Sequence, residues 1–122
     1  MNSICTDFLD QLSNIWPAVN EARDETTAYW HPDEPPLTTA FSEVGRKIML
    51  EFTNLNRELR SSIFALIEEG MASADDELGI AVATGLIEGL IGTAARADVS
   101  LEDLLFELGP LSKVHAEAWI DG

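Results

Sequence analysis

The apolar residues of this chain recur every three or four positions through most of its length, which is the spacing of one face of an α-helix. The first such run predicts a helix that starts near Ser3, with an apolar side made of Phe8, Leu9, Leu12, Ile15 and Trp16. Pro17 interrupts this run. Because proline is tolerated in the first turn of a helix, the pattern also predicts a second short helix from Pro17 to about Thr27.

The segment from Trp30 to Pro36 is the clearest break in the helical pattern, since it contains Pro32, Pro35 and Pro36. Proline removes a backbone donor and restricts the residue before it, so this segment is predicted to be an ordered loop. From Leu37 to Gly70 the apolar spacing continues without losing phase. It predicts either one long helix or two collinear helices kinked near Thr53 and Asn54, because Thr and Asn are weak helix formers.

The next helix is predicted to be the central one. Ser73 is placed to cap its start, with Asp76 three positions later, and the helix is expected to run to about Ala97. Its middle, from Leu78 to Ala95, carries only Thr84, Glu88 and Thr93 as polar residues, as expected of a helix surrounded by others.

Small residues of this central helix, Ala81, Gly85 and Gly89, are four positions apart and would let another backbone approach closely. A membrane span is the rival interpretation of the same stretch. It is disfavoured because Glu88 would lie near the bilayer centre, glycines lower the hydrophobicity, and the flanks are acidic rather than basic.

The last part of the chain predicts a helix capped by Ser100, a stop at Gly109-Pro110, and a final short helix that ends near Trp119. No alternating strand pattern is visible. The sequence therefore predicts an all-α fold, an irregular antiparallel bundle of four to six helices with a central apolar helix, in a single domain over residues 1–122.

The charge of the chain restricts the class of partner. Its 22 acidic and 7 basic side chains give a formal net charge of -15. Nucleic acid and anionic membrane are unsuitable ligands for such a field, whereas a basic protein suits it. Cys5 is the single cysteine, so no disulfide framework is expected, and it is interpreted as a small buried residue. The N-terminus shows no secretory signal, so a cytoplasmic location is predicted.

Candidate catalytic and metal-binding groups are almost absent. The only histidines, His31 and His115, are far apart and have no metal-type spacing, and no glycine-rich phosphate loop is present. We therefore predict a protein that is not an enzyme and that uses no metal or cofactor.

Glu88 conflicts with its apolar surroundings, because a buried carboxylate must find a partner or be protonated. The first interpretation is an ion pair with Arg46, Arg57 or Arg60. The second is a pocket in which Glu88 receives a cation from a partner protein.

Two features are candidate partner contacts. The first is an acidic edge, defined by the five acids that occur without a base between residues 68 and 77: Glu68, Glu69, Asp75, Asp76 and Glu77. Acids also gather at helix starts for solubility and because of the helix dipole, which is the alternative explanation. The second is Trp30, an aromatic anchor predicted in the proline-rich loop.

The central stretch Thr84-Gly85-Leu86-Ile87-Glu88-Gly89-Leu90, entered through Asp75-Asp76-Glu77, resembles small acidic all-helical immunity proteins of bacterial polymorphic toxin systems. Such toxins are delivered by contact-dependent or type VI secretion, and the resemblance spans roughly residues 37–108. It implies a cytoplasmic protein that binds one cognate toxin domain and neutralises it. The acidic surface independently favours a basic partner.

The alternative function is a non-catalytic regulatory or adaptor module that self-associates, for example as a homodimer, or binds a partner through apolar and aromatic surface. The salt dependence of binding separates the two functions, because exposed charges are screened beyond about 8 Å at physiological salt.

Overall fold

The computed structural model describes residues 1–122 and contains helices but no strands, so the predicted all-α class is confirmed. Its seven helices are α1 Ser3–Ile15, α2 Val19–Trp30, α3 Leu37–Leu50, α4 Arg57–Met71, α5 Asp76–Ala94, α6 Leu101–Glu107 and α7 Pro110–Asp121. There is one helix more than the predicted four to six. The 37–70 segment forms two helices, and the short helices predicted after Pro17 and after Gly109 both form.

Side-chain caps fix where several helices begin. Asn2 accepts a hydrogen bond from the backbone N–H of Cys5 at the start of α1, and Ser100 accepts one from Asp103 at the start of α6, as predicted for Ser100. The prediction that Ser73 caps α5 was wrong. Asp75 has the extended backbone of a cap, and its carboxylate accepts from the N–H of Leu78, whereas Ser73 accepts from the N–H of Asp75.

The 37–70 segment is two helices, so a single long helix was the wrong alternative. A 3-10 turn at Phe52–Asn54 separates α3 from α4, and Asn56 caps the new helix. The carbonyl of Phe52 accepts hydrogen bonds from Nε and Nη2 of Arg60, at 3.1 and 2.7 Å. This satisfies a carbonyl oxygen near the break, and the guanidinium also lies 4.1 Å from the centre of the Phe52 ring.

Helix α5 is the central helix, as predicted, and it packs against α3, α4 and α7. Its middle, Ala81–Ile87, is a π-helical segment that the apolar spacing did not reveal. By length and composition alone α5 could cross a membrane, but 56% of its apolar window is buried inside the fold. A core helix of a folded domain meets the same criteria.

The hydrophobic core is one cluster of 27 buried residues to which all seven helices contribute. Phe8 of α1 and Phe41 of α3 stack inside it with ring centroids 5.6 Å apart. Cys5 is fully buried on α1, as predicted. One continuous core means that each helix depends on its neighbours to bury its apolar face.

The backbones of α3 and α5 lie in direct contact because glycines face the partner helix from both sides. A Cβ added at Gly89 would lie 2.5 Å from the carbonyl oxygen of Ser42, and one at Gly85 would lie 2.8 Å from the carbonyl oxygen of Thr38. Gly45 of α3 lies against the backbone carbonyl of Leu86 in the same way. The predicted close approach at Gly85 and Gly89 is therefore confirmed.

The substitution Gly89→Ala tests this contact, with Gly92→Ala as its matched control on the same helix. An added Cβ at Gly89 would meet backbone that cannot rotate away, so we expect the free energy of unfolding to fall by about 1–3 kcal/mol. A Cβ at Gly92 would meet nothing within 4 Å, so Gly92→Ala should be neutral or stabilising by up to about 1 kcal/mol. Urea denaturation followed by circular dichroism measures both. Equal effects of the two substitutions would contradict close backbone packing.

Candidate partner-binding surface

The surface of the protein carries a large excess of unpaired carboxylates. Of its 22 acidic side chains, six pair with an ammonium or guanidinium group and Glu88 contacts His115, so the other 15 make no ion pair. The bases Arg23, Arg46, Lys47 and Arg60 each already have an acidic partner within the chain. The outward field is therefore negative and attracts cationic partners.

Glu68, the first residue of the predicted acidic edge, has a role inside the fold. Its carboxylate accepts hydrogen bonds from the backbone N–H groups of Leu111 and Ser112, at 2.8 and 3.0 Å, and from the Ser112 hydroxyl at 2.7 Å. Desolvation raises the pKa of Glu68, but these hydrogen bonds outweigh it and hold the pKa below its usual range. Glu68 of α4 thus caps the N-terminus of α7 from a different helix.

Asp75 and Glu77 are also held within the chain. Asp75 caps α5, and the amide Nδ2 of Asn2 donates to its carboxylate at 3.4 Å and to that of Glu77 at 2.8 Å. These contacts join the N-terminus of the chain to the start of α5. Neither carboxylate is part of an ion pair, so both keep their charge contribution to the surface.

Glu69 and Asp76 are the two residues of the acidic edge that are exposed and make no hydrogen bond or ion pair through their side chains. They are free to meet a partner without loss of an internal contact. Partner binding by any of the five residues stays a prediction, but the structure separates those that also stabilise the fold from those that do not.

Phe106 is an exposed aromatic residue that the sequence pattern did not single out. It lies on α6 with 86% of its surface exposed. It lines a groove of about 570 Å³ between α4 and α6, whose acidic residues are Glu68, Glu69 and Glu107. The sequence did contain a signal for its exposure. Phe106 is out of phase with Leu101, Leu104 and Leu108, so it lies off the apolar face of its helix.

A second groove, of about 770 Å³, lies on the other side of Phe106 and carries mixed charge. Arg57 and Arg60 line it together with Asp98, Asp103 and Glu107. Arg60 already donates hydrogen bonds to the carbonyl oxygen of Phe52, and its Nη1 lies 4.0 Å from the carboxylate of Glu107. The α4–α6 groove, which no base lines, is therefore the better match for a cationic partner.

Trp30 lies at the end of α2 rather than in the proline-rich loop, and it is half-buried. Its ring makes an edge-to-face contact with Tyr29 at 6.0 Å between centroids. Tyr29 is 84% exposed, so Tyr29 rather than Trp30 is the aromatic residue that is open to solvent here. A partner contact at Trp30 stays a prediction.

Glu88 was predicted to pair with Arg46, Arg57 or Arg60, and that prediction was wrong. Its Oε2 lies 3.1 Å from Nε2 of His115, so the contact links α5 to α7. The carboxylate is 24% exposed and is not fully desolvated. The partner of Glu88 is a histidine because α7 packs beside this part of α5, and the sequence pattern did not specify the position of α7.

The described chain brings together no group of three or more His, Cys, Asp or Glu side chains that could hold a metal ion. His31, in the loop after α2, is exposed. Comparison with known proteins found no family model, no curated protein and no solved structure that matches this chain.

The substitution Glu68→Ala tests the inter-helical cap, with Glu69→Ala as the neighbouring control. We expect Glu68→Ala to lower the free energy of unfolding by about 1–2 kcal/mol, since it leaves two backbone N–H groups without their acceptor. Glu69→Ala should change stability by less than about 0.5 kcal/mol.

The pH dependence of this difference follows from the lowered pKa of Glu68. A carboxylate with a lowered pKa in the folded state stabilises the fold above its ordinary pKa, and this contribution is lost as the pH falls through the lowered value. Urea denaturation at several pH values should therefore show the Glu68→Ala deficit at neutral pH and a smaller deficit in acid. A deficit that grows in acid would contradict the proposed cap.

Proposed function

We propose that this protein is a cytoplasmic immunity protein that binds a cognate, basic bacterial toxin domain and neutralises it. The observation that carries the proposal is the excess of 15 carboxylates that make no ion pair. Such an excess repels itself and lowers the stability of the compact state, and a cationic partner would offset that cost. A basic partner relieves the repulsion and associates faster because the charges steer it.

The proposed contact surface combines the free acids of the acidic edge with Phe106. Glu69 links the two, because it belongs to the edge and lines the α4–α6 groove next to Phe106. Interfaces gain most of their affinity from a few desolvated aromatic anchors, whereas charges at the rim act mainly on association rate and specificity. Phe106 would serve as the anchor, and Glu69 and Asp76 as rim charges.

The rigid helical scaffold supports inhibition by covering the toxin rather than by chemistry. Helices α4 and α6 belong to the common core, which holds the surface in place before the partner arrives. A preformed surface loses little conformational entropy on binding. The toxin's active site or activation surface would be blocked by contact alone.

A rescue experiment in cells tests the function. The probe is the toxic C-terminal domain of a large protein encoded next to this chain, expressed with and without it. We expect the wild-type chain to restore growth and the variant Glu69→Lys/Asp76→Lys/Phe106→Ser to fail. Glu117→Lys/Asp121→Lys, which makes the same number of charge reversals on exposed positions of α7, is the control and should still rescue growth. Failure of the wild-type chain to protect would contradict the proposal.

Binding kinetics test the contact surface separately. Charge reversal at Glu69 and Asp76 should slow association by about tenfold at low salt, and this difference should shrink as salt screens the charges. Glu69 and Asp76 are preferred to Asp75 and Glu77 because they hold no internal hydrogen bond. Since Asp76 lies in the first turn of α5, urea denaturation of the variant is the control for an effect on folding. Unchanged association with the toxin domain would eliminate this edge as the contact.

A second candidate function is a self-associating or adaptor module, and the surface of α7 favours it. Leu111, Val114 and Ala118 are exposed at the spacing of one helical face, with Val114 68% exposed. Copies of a strongly acidic chain repel each other, so higher salt would strengthen self-association, whereas it weakens binding to a basic toxin. Sedimentation at low and high salt distinguishes these outcomes.

A further inference from the structure

A groove of about 430 Å³ lies between α2 and α3, on a surface separate from the α4–α6 groove. Its lining consists of two aromatic, two hydroxyl and two carboxylate side chains: Tyr29, Trp30, Thr26, Thr39, Glu25 and Glu43. We call it the Tyr29 groove. Tyr29 is 84% exposed, so the groove is open to a group that arrives from solvent.

No basic side chain lines the Tyr29 groove. Glu25, on the α2 side, makes no ion pair, and Glu43, on the α3 side, forms a long ion pair of 3.7 Å with Arg46, which does not line the groove. Lys47 is the nearby cation of α3, but its ammonium is held by Glu21 at 2.7 Å and lies 3.9 Å from Glu51. The two carboxylates therefore face the groove without a cation of their own chain inside it.

We propose that the Tyr29 groove receives an arginine side chain of a basic protein partner. A guanidinium can stack on an aromatic face while its N–H groups bind a carboxylate, and both partners are present here on facing helices. Lysine offers a compact charge without a planar face and should bind more weakly. The proposal rests on the proposed function only for the basic nature of the partner.

The occupant is a residue of a protein chain rather than free arginine, because the groove offers nothing to bind an α-carboxylate. Free arginine carries an α-ammonium and an α-carboxylate beside its guanidinium, and no basic side chain lines the groove to pair with that carboxylate. In a protein the same atoms are neutral amides. An arginine within a peptide chain thus presents its guanidinium without a carboxylate that the groove would leave unpaired.

The test uses N-acetyl-arginine amide as the probe and NMR of the three tryptophan indole N–H groups as the readout. We expect a saturable shift of the Trp30 signal, while the signals of Trp16 and Trp119 stay in place and serve as internal controls. N-acetyl-lysine amide should bind about threefold to fivefold more weakly, because an ammonium has no planar face to stack on the ring. Free arginine should bind no more tightly than N-acetyl-arginine amide, because the groove has no basic side chain for its α-carboxylate.

The matched variants are Glu25→Gln/Glu43→Gln in the groove and Glu117→Gln/Asp121→Asn outside it, at exposed positions of α7. The first pair should weaken binding of the probe about fivefold, since exposed charge pairs of this kind contribute modestly. The second pair removes the same charge and should leave binding unchanged. Tyr29→Ser, at an exposed position that the fold does not need, should weaken it as well.

Three outcomes would overturn the proposal. The first is a shift of all three indole signals together. The second is equal binding of the probe by the Glu25→Gln/Glu43→Gln variant and by the control variant. The third is tighter binding of free arginine than of N-acetyl-arginine amide. The first two indicate general charge attraction, and the third indicates a small-molecule site. No toxin is used, so a chain that binds the probe but fails to rescue cells would refute the immunity function alone, and the reverse result would refute the groove alone.

Discussion

The close backbone contact between α3 and α5 is the constraint on which the rest of the fold depends. Gly85 and Gly89 of α5 lie against the backbone of α3, and Gly45 of α3 lies against that of α5. No side chain separates the two helices at these points, so their relative position is fixed by peptide groups that cannot repack. Helices α4 and α7 then cover the remaining apolar faces of α5, and the core closes around it.

Acidic residues serve two purposes in this protein. Glu68, Asp75 and Glu77 accept hydrogen bonds from helix starts or from Asn2, and so join distant parts of the chain. Glu69 and Asp76 make no such contact and only add charge to the surface. The acids that make no internal hydrogen bond are therefore different residues from those that hold the helices together. This division favours a protein that works by binding a cationic partner.

Two exposed aromatic side chains lie next to acidic residues on the surface. Phe106 stands beside the α4–α6 groove, and Tyr29 stands beside the groove between α2 and α3, each with acids on the groove walls. Electrostatic attraction speeds the encounter and adds specificity but little affinity, whereas a buried aromatic anchor supplies affinity after the encounter.

The sequence by itself determined the helical class, the central position of α5 and the close approach at Gly85 and Gly89, since these follow from local spacing and intrinsic propensity. It left open whether the 37–70 segment breaks near Thr53, and the structure decided that it does. It also located the acids along the chain, but it placed Trp30 in the proline-rich loop, whereas the structure has Trp30 at the end of α2. Only the tertiary structure decided that Glu88 meets His115, that Glu68 caps α7, and that Phe106 and Tyr29 face solvent. Those outcomes depend on how α4, α5 and α7 dock, and periodicity specifies which face of a helix is buried but not which neighbour covers it.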